Sequence, residues 1–455
     1  MARSMRLARD MYIVLLLHLA WALMAVPVVT RQQRVPASAA AWLALILLLP
    51  VAGTLLYILA GYRRDGPAAD CPACRGDRLE QIIAHGCGTR PTRYNRVGLL
   101  HNGNNAFTAL IASLQRATRS IHMEYYIIRD DRIGHTIAEI LIRKARAGLE
   151  VRVIYDAVGS WRLSRKTLRR MHDAGVETAA FEPIRFPWFT TRVTHRNHRK
   201  IVVTDGKVAY LGGINIAKYY LDGDYMGKWR DEHLRVEGDA VADLQRLFIA
   251  DWARVRGEYL DSRRYIAPHG IRQRLPIQLA WAEEGALAAD HRRAPLPRPS
   301  SGRTAPYASP RPISCPRPCC STRSGWQHAA GCGSQVMIPS CSDSPFTDLI
   351  SDSYIGDLLD AGVELYRYDN GFLHAKLLIV DEDTASVGTA NMDYRSLLDN
   401  LEVTAFIRDR SVVRALSATY DDDLASCRRI ARETWRPAAW RRTLGDALRL
   451  VSPLM

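Results

Sequence analysis

Two uncharged apolar runs open the chain, residues 11–30 (MYIVLLLHLAWALMAVPVVT) and 38–62 (SAAAWLALILLLPVAGTLLYILAGY). Each is long enough to cross a hydrocarbon core of roughly 30 Å at about 1.5 Å per residue. A cleaved signal peptide accounts for the first run and leaves the second unexplained. The short RQQRVPA between them predicts a tight hairpin with both ends on one side. Arg3, Arg6 and Arg9 precede the first run and Arg63 and Arg64 follow the second, so the positive-inside rule places both ends in the cytoplasm; Arg31 and Arg34 in the loop reduce the asymmetry without reversing it.

Beyond the hairpin the apolar period alternates between 3.6 and 2. NAFTALIASLQRATR has the spacing of a helix, SIHMEYYII of a strand, IGHTIAEILIRKARAG of a helix, LEVRVIYD of a strand and SRKTLRRMHDAG of a helix. This alternation predicts an α/β class, a sheet with helices packed on it. The outline repeats after residue 266. The expected organisation is a two-helix anchor at 1–66, a linker at 67–95, and two pseudo-twofold-related α/β units at 96–265 and 266–455, with a cleft between them.

The repeat carries chemistry. His198-Arg199-Lys200 is followed after four residues by Asp205, and after six more by Gly212-Gly213-Ile214-Asn215. His374-Ala375-Lys376, Asp381 and Gly388-Thr389-Ala390-Asn391 keep the same steps, 176 residues later. One HxKxxxxD would mean little, but two copies with the same step to a Gly and an Asn mark a duplicated half-site. The residues after each Lys, IVV and LLIV, predict a buried strand that ends in a turn at Asp205-Gly206 or Asp381-Glu382. His and Lys, two apart, point to one face of that strand. A second short strand then brings the Asn back beside them. Asp205 and Asp381 stand inside the motif as candidate catalytic residues; the favoured reading is that they organise the turn without touching substrate.

Two such halves facing each other surround one point with two imidazoles, two ammoniums and two amides. That set suits a phosphodiester. Lys200, Lys376, Asn215 and Asn391 can hold the non-bridging oxygens where charge builds up. One imidazole can attack phosphorus, giving a covalent phosphohistidine, while the other protonates the leaving oxygen and later deprotonates the incoming alcohol. Each imidazole also needs a carboxylate on its other nitrogen. Asp231 and Glu402, at matching places downstream of the two motifs, are the candidates.

With these residues in place the chain resembles the phospholipase D superfamily, and within it the bacterial cardiolipin synthases. The resemblance runs from about residue 96 to the C-terminus, through segments such as HRNHRKIVVTDGKVAYLGGIN, GFLHAKLLIVD and VGTANMDYRSLLDNLEV. It implies two phospholipase D-like α/β sandwich domains and His198 and His374 as the catalytic pair, with His198 the usual nucleophile. It further implies no metal or cofactor. Family members commonly begin with a hydrophobic hairpin, which implies a multi-pass protein of the bacterial inner membrane with cytoplasmic catalytic domains. The substrate implied is phosphatidylglycerol, joined to a second phosphatidylglycerol with loss of glycerol. A net charge of +15 suits both anionic phospholipids and nucleic acid. The apolar hairpin and the basic, Trp-containing C-terminal segment around Trp435 and Trp440 favour lipid, and no nucleic-acid partner is expected. That segment reads equally as an ordinary amphipathic surface helix. The rival readings are a phospholipase D-type hydrolase, a membrane-held phosphodiesterase or nuclease, and an inert synthase.

The last rival arises from residues 285–334, dense in Pro, Ser, Arg and Cys and without hydrophobic period. Read one base earlier, permissible codons for residues 311–334 spell PYFVPAPLLLDALGLAARGGLRV, which runs directly into QVMIP. The restored text has a turn, an amphipathic helix and the start of a strand. A compensated double frameshift therefore predicts that this stretch lacks regular packing and that about one βαβ unit of the second domain is missing. Five of the nine cysteines, Cys315, Cys319, Cys320, Cys332 and Cys341, fall in or beside it and carry no disulfide framework. Cys71, Cys74, His85 and Cys87 have spacings compatible with zinc, but the segment reads as a linker. His195 reads as structural, Arg196 and Arg395 as further phosphate contacts, and Tyr125 and Tyr126 chiefly as core.

Overall fold

In the computed structural model, which describes residues 20, 36–49, 57, 76–183, 195–281, 305–308, 333–342, 344–393, 395–396 and 400–448, a single mixed sheet runs through both halves. Helix α1 is Pro36–Leu48 and α2 is Gly76–Cys87. The first half then runs β1 Thr92–His101, α3 Asn102–Arg116, β2 Ser120–Tyr125, α4 Arg132–Arg146, β3 Glu150–Asp156, α5 Arg165–Asp173 and β4 Glu177–Phe181. It continues with β5 Lys200–Thr204, β6 Val208–Gly212, α6 Tyr219–Asp222, β7 Trp229–Arg230, β8 Glu232–Gly238, α7 Asp239–Arg256 and α8 Ser262–Tyr265. The second half runs β9 Arg274–Trp281, β10 Ala305–Ala308, β11 Ser334–Pro339, α9 Pro345–Asp360, β12 Glu364–Tyr368, β13 Phe372–Leu373 and β14 Leu377–Val380. It ends with β15 Thr384–Gly388, β16 Val403–Ile407, α10 Arg410–Leu424, β17 Cys427–Ile430 and α11 Ala439–Leu448.

Strand order shows the duplication. From one edge the sheet reads β4-β3-β2-β5-β6-β8-β1; from the other it reads β17 and then β12-β11-β10-β14-β15-β16-β9. β2, β3 and β4 are parallel neighbours, as are β10, β11 and β12. The motif strands β5 and β14 lie antiparallel to β2 and β10. β1 and β9 occupy equivalent places and pair with each other, which joins the halves. β2 and β5 are buried at every position, so they read as continuous apolar runs carrying a few charged residues.

Local signals set the helix ends. Asp131, Ser164 and Asp409 accept backbone amides at the starts of α4, α5 and α10, and Gly257 closes α7 with φ +70°. The largest hydrophobic cluster takes Ile201, Leu211 and Leu234 from the first half and Leu377, Val387 and Val403 from the second. The two repeats therefore share one core.

Three expectations change. Residues 67–95 are not a linker throughout: α2 is helical, its Glu80 meets Arg408 and Gln278, and β1 starts at Thr92 rather than after residue 96. Residues 285–334 do not wholly lack regular structure. Ala305–Ala308 forms β10, which fills the slot equivalent to β2 because β11 on one side and β14 on the other both offer unpaired backbone groups there. The rest of that stretch up to residue 332, where counterparts of α3 and α4 would fall, lies outside the described residues. The C-terminal segment is also not one helix: Cys427–Ile430 pairs with β12, Trp435 packs on the core with the Arg367 guanidinium 5.8 Å from its ring, and Gly445 of α11 packs on Leu349 of α9. Among the described residues no helix is long and apolar enough to cross a membrane; all of the first predicted span but residue 20, and about half of the second, lie outside them, as do Cys71 and Cys74.

Arg199 shows how tightly the halves are tied. It is 1% exposed, pairs with Asp251 of α7, and donates Nε to the Glu402 carbonyl of the second half at 3.2 Å. Arg199→Leu leaves Asp251 buried without its counter-ion, beside the buried Glu124 carboxyl. It should cost about 3–5 kcal/mol, read as a lower denaturant midpoint. Arg199→Leu with Asp251→Leu should recover most of that loss.

Candidate active site

The two motifs meet at the C-terminal ends of the parallel strands. β5 runs antiparallel to β2, with Lys200 opposite Tyr125, so the residues just before β5 lie at that end. There the chain makes an exchange between the halves. Asn197 bridges to Leu401 in parallel, and His198 N donates to the Leu401 carbonyl at 2.9 Å. In the mirror arrangement β13 pairs in parallel with β7, and His374 N donates to the Arg230 carbonyl at 2.6 Å. Each histidine-bearing segment therefore lies beside the carboxylate-bearing segment of the other half.

The side chains follow the backbone. His198 Nδ1 lies 2.9 Å from Glu402 Oε1 and 3.0 Å from Oε2. His374 Nδ1 lies 2.6 Å from Asp231 Oδ2. Each of these two carboxylates lies against the imidazole of the other half rather than its own. The Glu402 carboxylate also accepts from the Thr389 hydroxyl, and Asp231 Oδ1 from the Glu232 amide at 2.8 Å. Gly213 is required beside it, because a Cβ there would collide with the Asp231 carboxylate.

The lysines stand where the motif predicts. Lys200 Nζ donates to the His198 carbonyl at 2.6 Å and lies 5.3 Å from the centre of the Tyr126 ring. Lys376 Nζ donates to the His374 carbonyl at 2.6 Å, with His374 Nδ1 at 2.7 Å and Nε2 at 3.0 Å. The amides complete the set. Asn215 Oδ1 accepts from the Ile127 amide and its Nδ2 donates to the Tyr220 hydroxyl, both at 3.2 Å. Asn391 Nδ2 donates to Asp393 at 3.2 Å, and its Oδ1 is buried with no hydrogen-bond partner among the described residues.

Burial sets the protonation states. It holds Lys200 well below the usual ammonium range, and the Lys376 charge adds to that. It pushes Glu402 up to about 7, against the Lys200 charge and the Thr389 hydrogen bond. It also lowers His374 to about 3, assisted by Lys376 and opposed by Asp231. Burial works against ionisation of Asp231 too, but there the Lys376 charge and the hydrogen bond from His374 prevail and hold the carboxyl below its ordinary value. The two carboxylates thus differ: Asp231 is firmly ionised and Glu402 titrates near neutrality.

Asp205 and Asp381 are not part of this cluster. They sit at the far ends of β5 and β14, at φ +56° and +54°. Asp205 accepts the backbone amides of Thr118, Arg119 and Ser120. A strand's length separates both from the lysines, and the Asp205 contacts fit the turn-organising reading. Arg196 is buried, donates to the Glu182 carbonyl at 2.9 Å and lies 4.0 Å from Asp156. The Arg395 carbonyl accepts from Asn400 at 2.7 Å. His195 packs beside Phe181, with ring centres 5.8 Å apart. Tyr125 belongs to the core, but Tyr126 stands edge-on to His198 at 4.9 Å. Tyr220, Trp229 and Phe372, whose rings surround His374 at 5.2–5.9 Å, were not legible as site residues.

Comparison with known proteins follows the same division. Residues 110–252 and 325–424 match the family described as cardiolipin synthase, PLD-like domain, and residues 19–61 match a phospholipase D-nuclease N-terminal family. The chain is 33% identical over 94% of its length to a cardiolipin synthase of Halalkalibacterium halodurans, covering 91% of that protein. It is 39% identical over 78% of its length to cardiolipin synthase 2 of Bacillus anthracis, covering 70% of it. Its fold resembles the crystal structure of a phosphatidylserine synthase of Haemophilus influenzae, with a TM-score of 0.62 at 13% identity, covering 83% of this chain and 99% of that one.

The turn role of Asp205 has a measurable signature. Asp205→Asn should lower stability by about 1–2 kcal/mol at neutral pH, modest because the carboxylate is half-exposed, and leave kcat unchanged. The three amides and the Thr118 hydroxyl hold the Asp205 pKa below the usual carboxylate value, against the opposing effect of burial. Its contribution is therefore present above the unfolded pKa and is lost as pH falls through the folded one. Unfolding curves of the two proteins should converge in acid.

Proposed function

The chain belongs to the cardiolipin synthases of the phospholipase D superfamily, and we propose that it joins two phosphatidylglycerols through a phosphatidyl-histidine, with His198 and His374 dividing the two proton and phosphorus roles. The observation that carries this reading is the pair of imidazoles, each with its Nδ1 against a carboxylate from the opposite half, which turns the ring's other nitrogen away from that carboxylate.

In the first step His198 Nε2 attacks phosphorus and the bond from phosphorus to the glycerol oxygen breaks. His374 gives its proton to that oxygen and glycerol leaves. In the second step His374 takes the proton of a hydroxyl on the second phosphatidylglycerol. That oxygen attacks phosphorus, the phosphorus–nitrogen bond breaks, and His198 returns neutral with cardiolipin formed. Lys200, Lys376, Asn215 and Asn391 hold the non-bridging oxygens throughout.

The electrostatics suit a substrate-loaded acid. In the empty cleft burial and the lysine charges keep His374 neutral. A phosphodiester set between Lys200 and Lys376 offsets both ammoniums and lets His374 hold the proton that it delivers. The site's burial helps keep water from taking the acceptor's place. The anchoring reading is a multi-pass attachment to the bacterial inner membrane through residues 1–66 with the catalytic halves in the cytoplasm. It is supported by the match over residues 19–61 and the flanking arginines. Phosphatidylglycerol in that membrane is then both donor and acceptor.

The test is cardiolipin formation from phosphatidylglycerol in membranes containing this chain or a chain with residues 311–334 in the restored frame. The restored chain should make cardiolipin and should be the more stable of the two. Equal rates would show the stretch to be a tolerated insert. Absence of cardiolipin from both folded chains would overturn the substrate. His374→Ala should lower the rate about 10²–10⁴-fold. With His198→Ala no phosphatidyl-enzyme should be trapped by acid quench.

A further inference from the structure

The two half-sites part company five residues after the motif Asn, where the first half has Tyr220 and the second has Ser396. Tyr220 is 3% exposed, in the short helix α6. Its hydroxyl lies 3.2 Å from Asn215 Nδ2, 3.3 Å from the Gly213 carbonyl and 3.2 Å from His374 Nδ1. Donor and acceptor capacities fix the roles. The Asn215 amide donates to the phenol oxygen, whose own proton goes to Gly213, while the imidazole Nδ1–H points chiefly at Asp231, 2.6 Å away, with the phenol oxygen at its flank. Gly213 is the residue against which the Asp231 carboxylate packs. One hydroxyl thus touches a phosphate-binding amide and an imidazole, together with the backbone that seats that imidazole's carboxylate. Ser396 is buried beside Glu402, within its own half, and has no comparable reach.

We propose that Tyr220 is a positioning residue that couples the Asn215 amide of the first half to the His374 imidazole of the second, so that phosphate capture and orientation of that imidazole are set together. The ring does part of this work. With Trp229 and Phe372 it walls His374 from water, whereas His198 has Tyr126 beside it. The hydroxyl does the rest, because without it the Asn215 amide loses its acceptor in a dry site and the Nδ1 edge of His374 loses a polar neighbour beside Asp231. The inference rests on the cardiolipin synthase reading above and adds a residue that makes the two halves chemically unlike.

The experiment compares the full wild-type chain with Tyr220→Phe, which keeps the ring, and with a chain carrying difluorotyrosine at position 220, which keeps the hydroxyl but makes it more acidic. Cardiolipin formation from phosphatidylglycerol vesicles is followed as a function of pH, with melting temperature as the control for folding. Tyr220→Phe should lower kcat roughly tenfold and raise KM, at a melting temperature close to wild type. The phenol oxygen stabilises the protonated imidazole, so its loss should move the alkaline limb of the kcat profile to lower pH. The fluorinated chain should retain most of kcat and move the same limb the same way, because its oxygen is a poorer acceptor. Unchanged kcat and pH profile in Tyr220→Phe would overturn the proposal, as would a loss that only tracks unfolded protein. If Tyr220→Phe fails to fold, the fluorinated chain decides, and an unmoved limb there overturns it. A wild-type chain that folds but makes no cardiolipin would instead sink the function on which the proposal rests.

Discussion

Each motif imidazole lies against a carboxylate that its own half does not supply. Glu402 holds His198 and Asp231 holds His374, and the backbone enforces this exchange before any side chain acts. The segment at 197 pairs with 401, and β13 pairs with β7, so each histidine enters the cleft on the other half's strand. Neither repeat contains a complete acid–base unit. The rest of the architecture follows from holding this exchange still: β1 pairs with β9, and one hydrophobic cluster spans both motif strands. Positional error of even a few tenths of an ångström between two loosely hinged domains would degrade a hydrogen bond of 2.6 Å, so a shared core suits the chemistry better than a flexible cleft.

The same burial that fixes the geometry makes the empty site electrostatically incomplete. Two ammoniums, two carboxylates and two imidazoles are packed where water is scarce. Lys200 is pushed far down and Glu402 far up. A bound phosphodiester supplies the negative charge that the lysines lack. Its stabilisation is therefore greatest when non-bridging oxygens gain charge in the transition state, in surroundings already arranged to receive it. Groups that remain outside this cluster keep ordinary structural duties. Asp205 spends its lone pairs on three backbone amides, which is why a conserved-looking spacing within a motif does not by itself make a catalytic group.

The legible parts of this protein were those written in local periodicity. His198, Lys200, Asn215 and their counterparts follow from strand period and spacing, and the α/β alternation foretold β2, β3, α4 and α5. Asp231 and Glu402 were legible as carboxylates at matching places. Their crossing was not, because it depends on parallel pairing between segments far apart in the chain, as Asn197–Leu401 and Trp229–Phe372 show. β10 was illegible for a different reason. Ala305–Ala308 has no apolar alternation of its own, and its strand form comes from neighbours on both sides that need backbone partners. The aromatic walls around His374 escaped for the same cause: Tyr220, Trp229 and Phe372 come from three separate segments.

Duplication produces like halves, but a two-step transfer needs unlike imidazoles. Here the unlikeness does not come from the motifs, which match residue for residue at His, Lys and Asn. It comes from their surroundings. Asp231 is firmly ionised and Glu402 titrates near neutrality. His374 has Lys376 against its ring and three aromatic walls, whereas His198 has Tyr126 beside it. The repeat thus retains the contacts that hold phosphate in common and varies the residues one layer out. Proton affinity can then diverge between the halves while the oxygens of the substrate still meet a symmetric cradle.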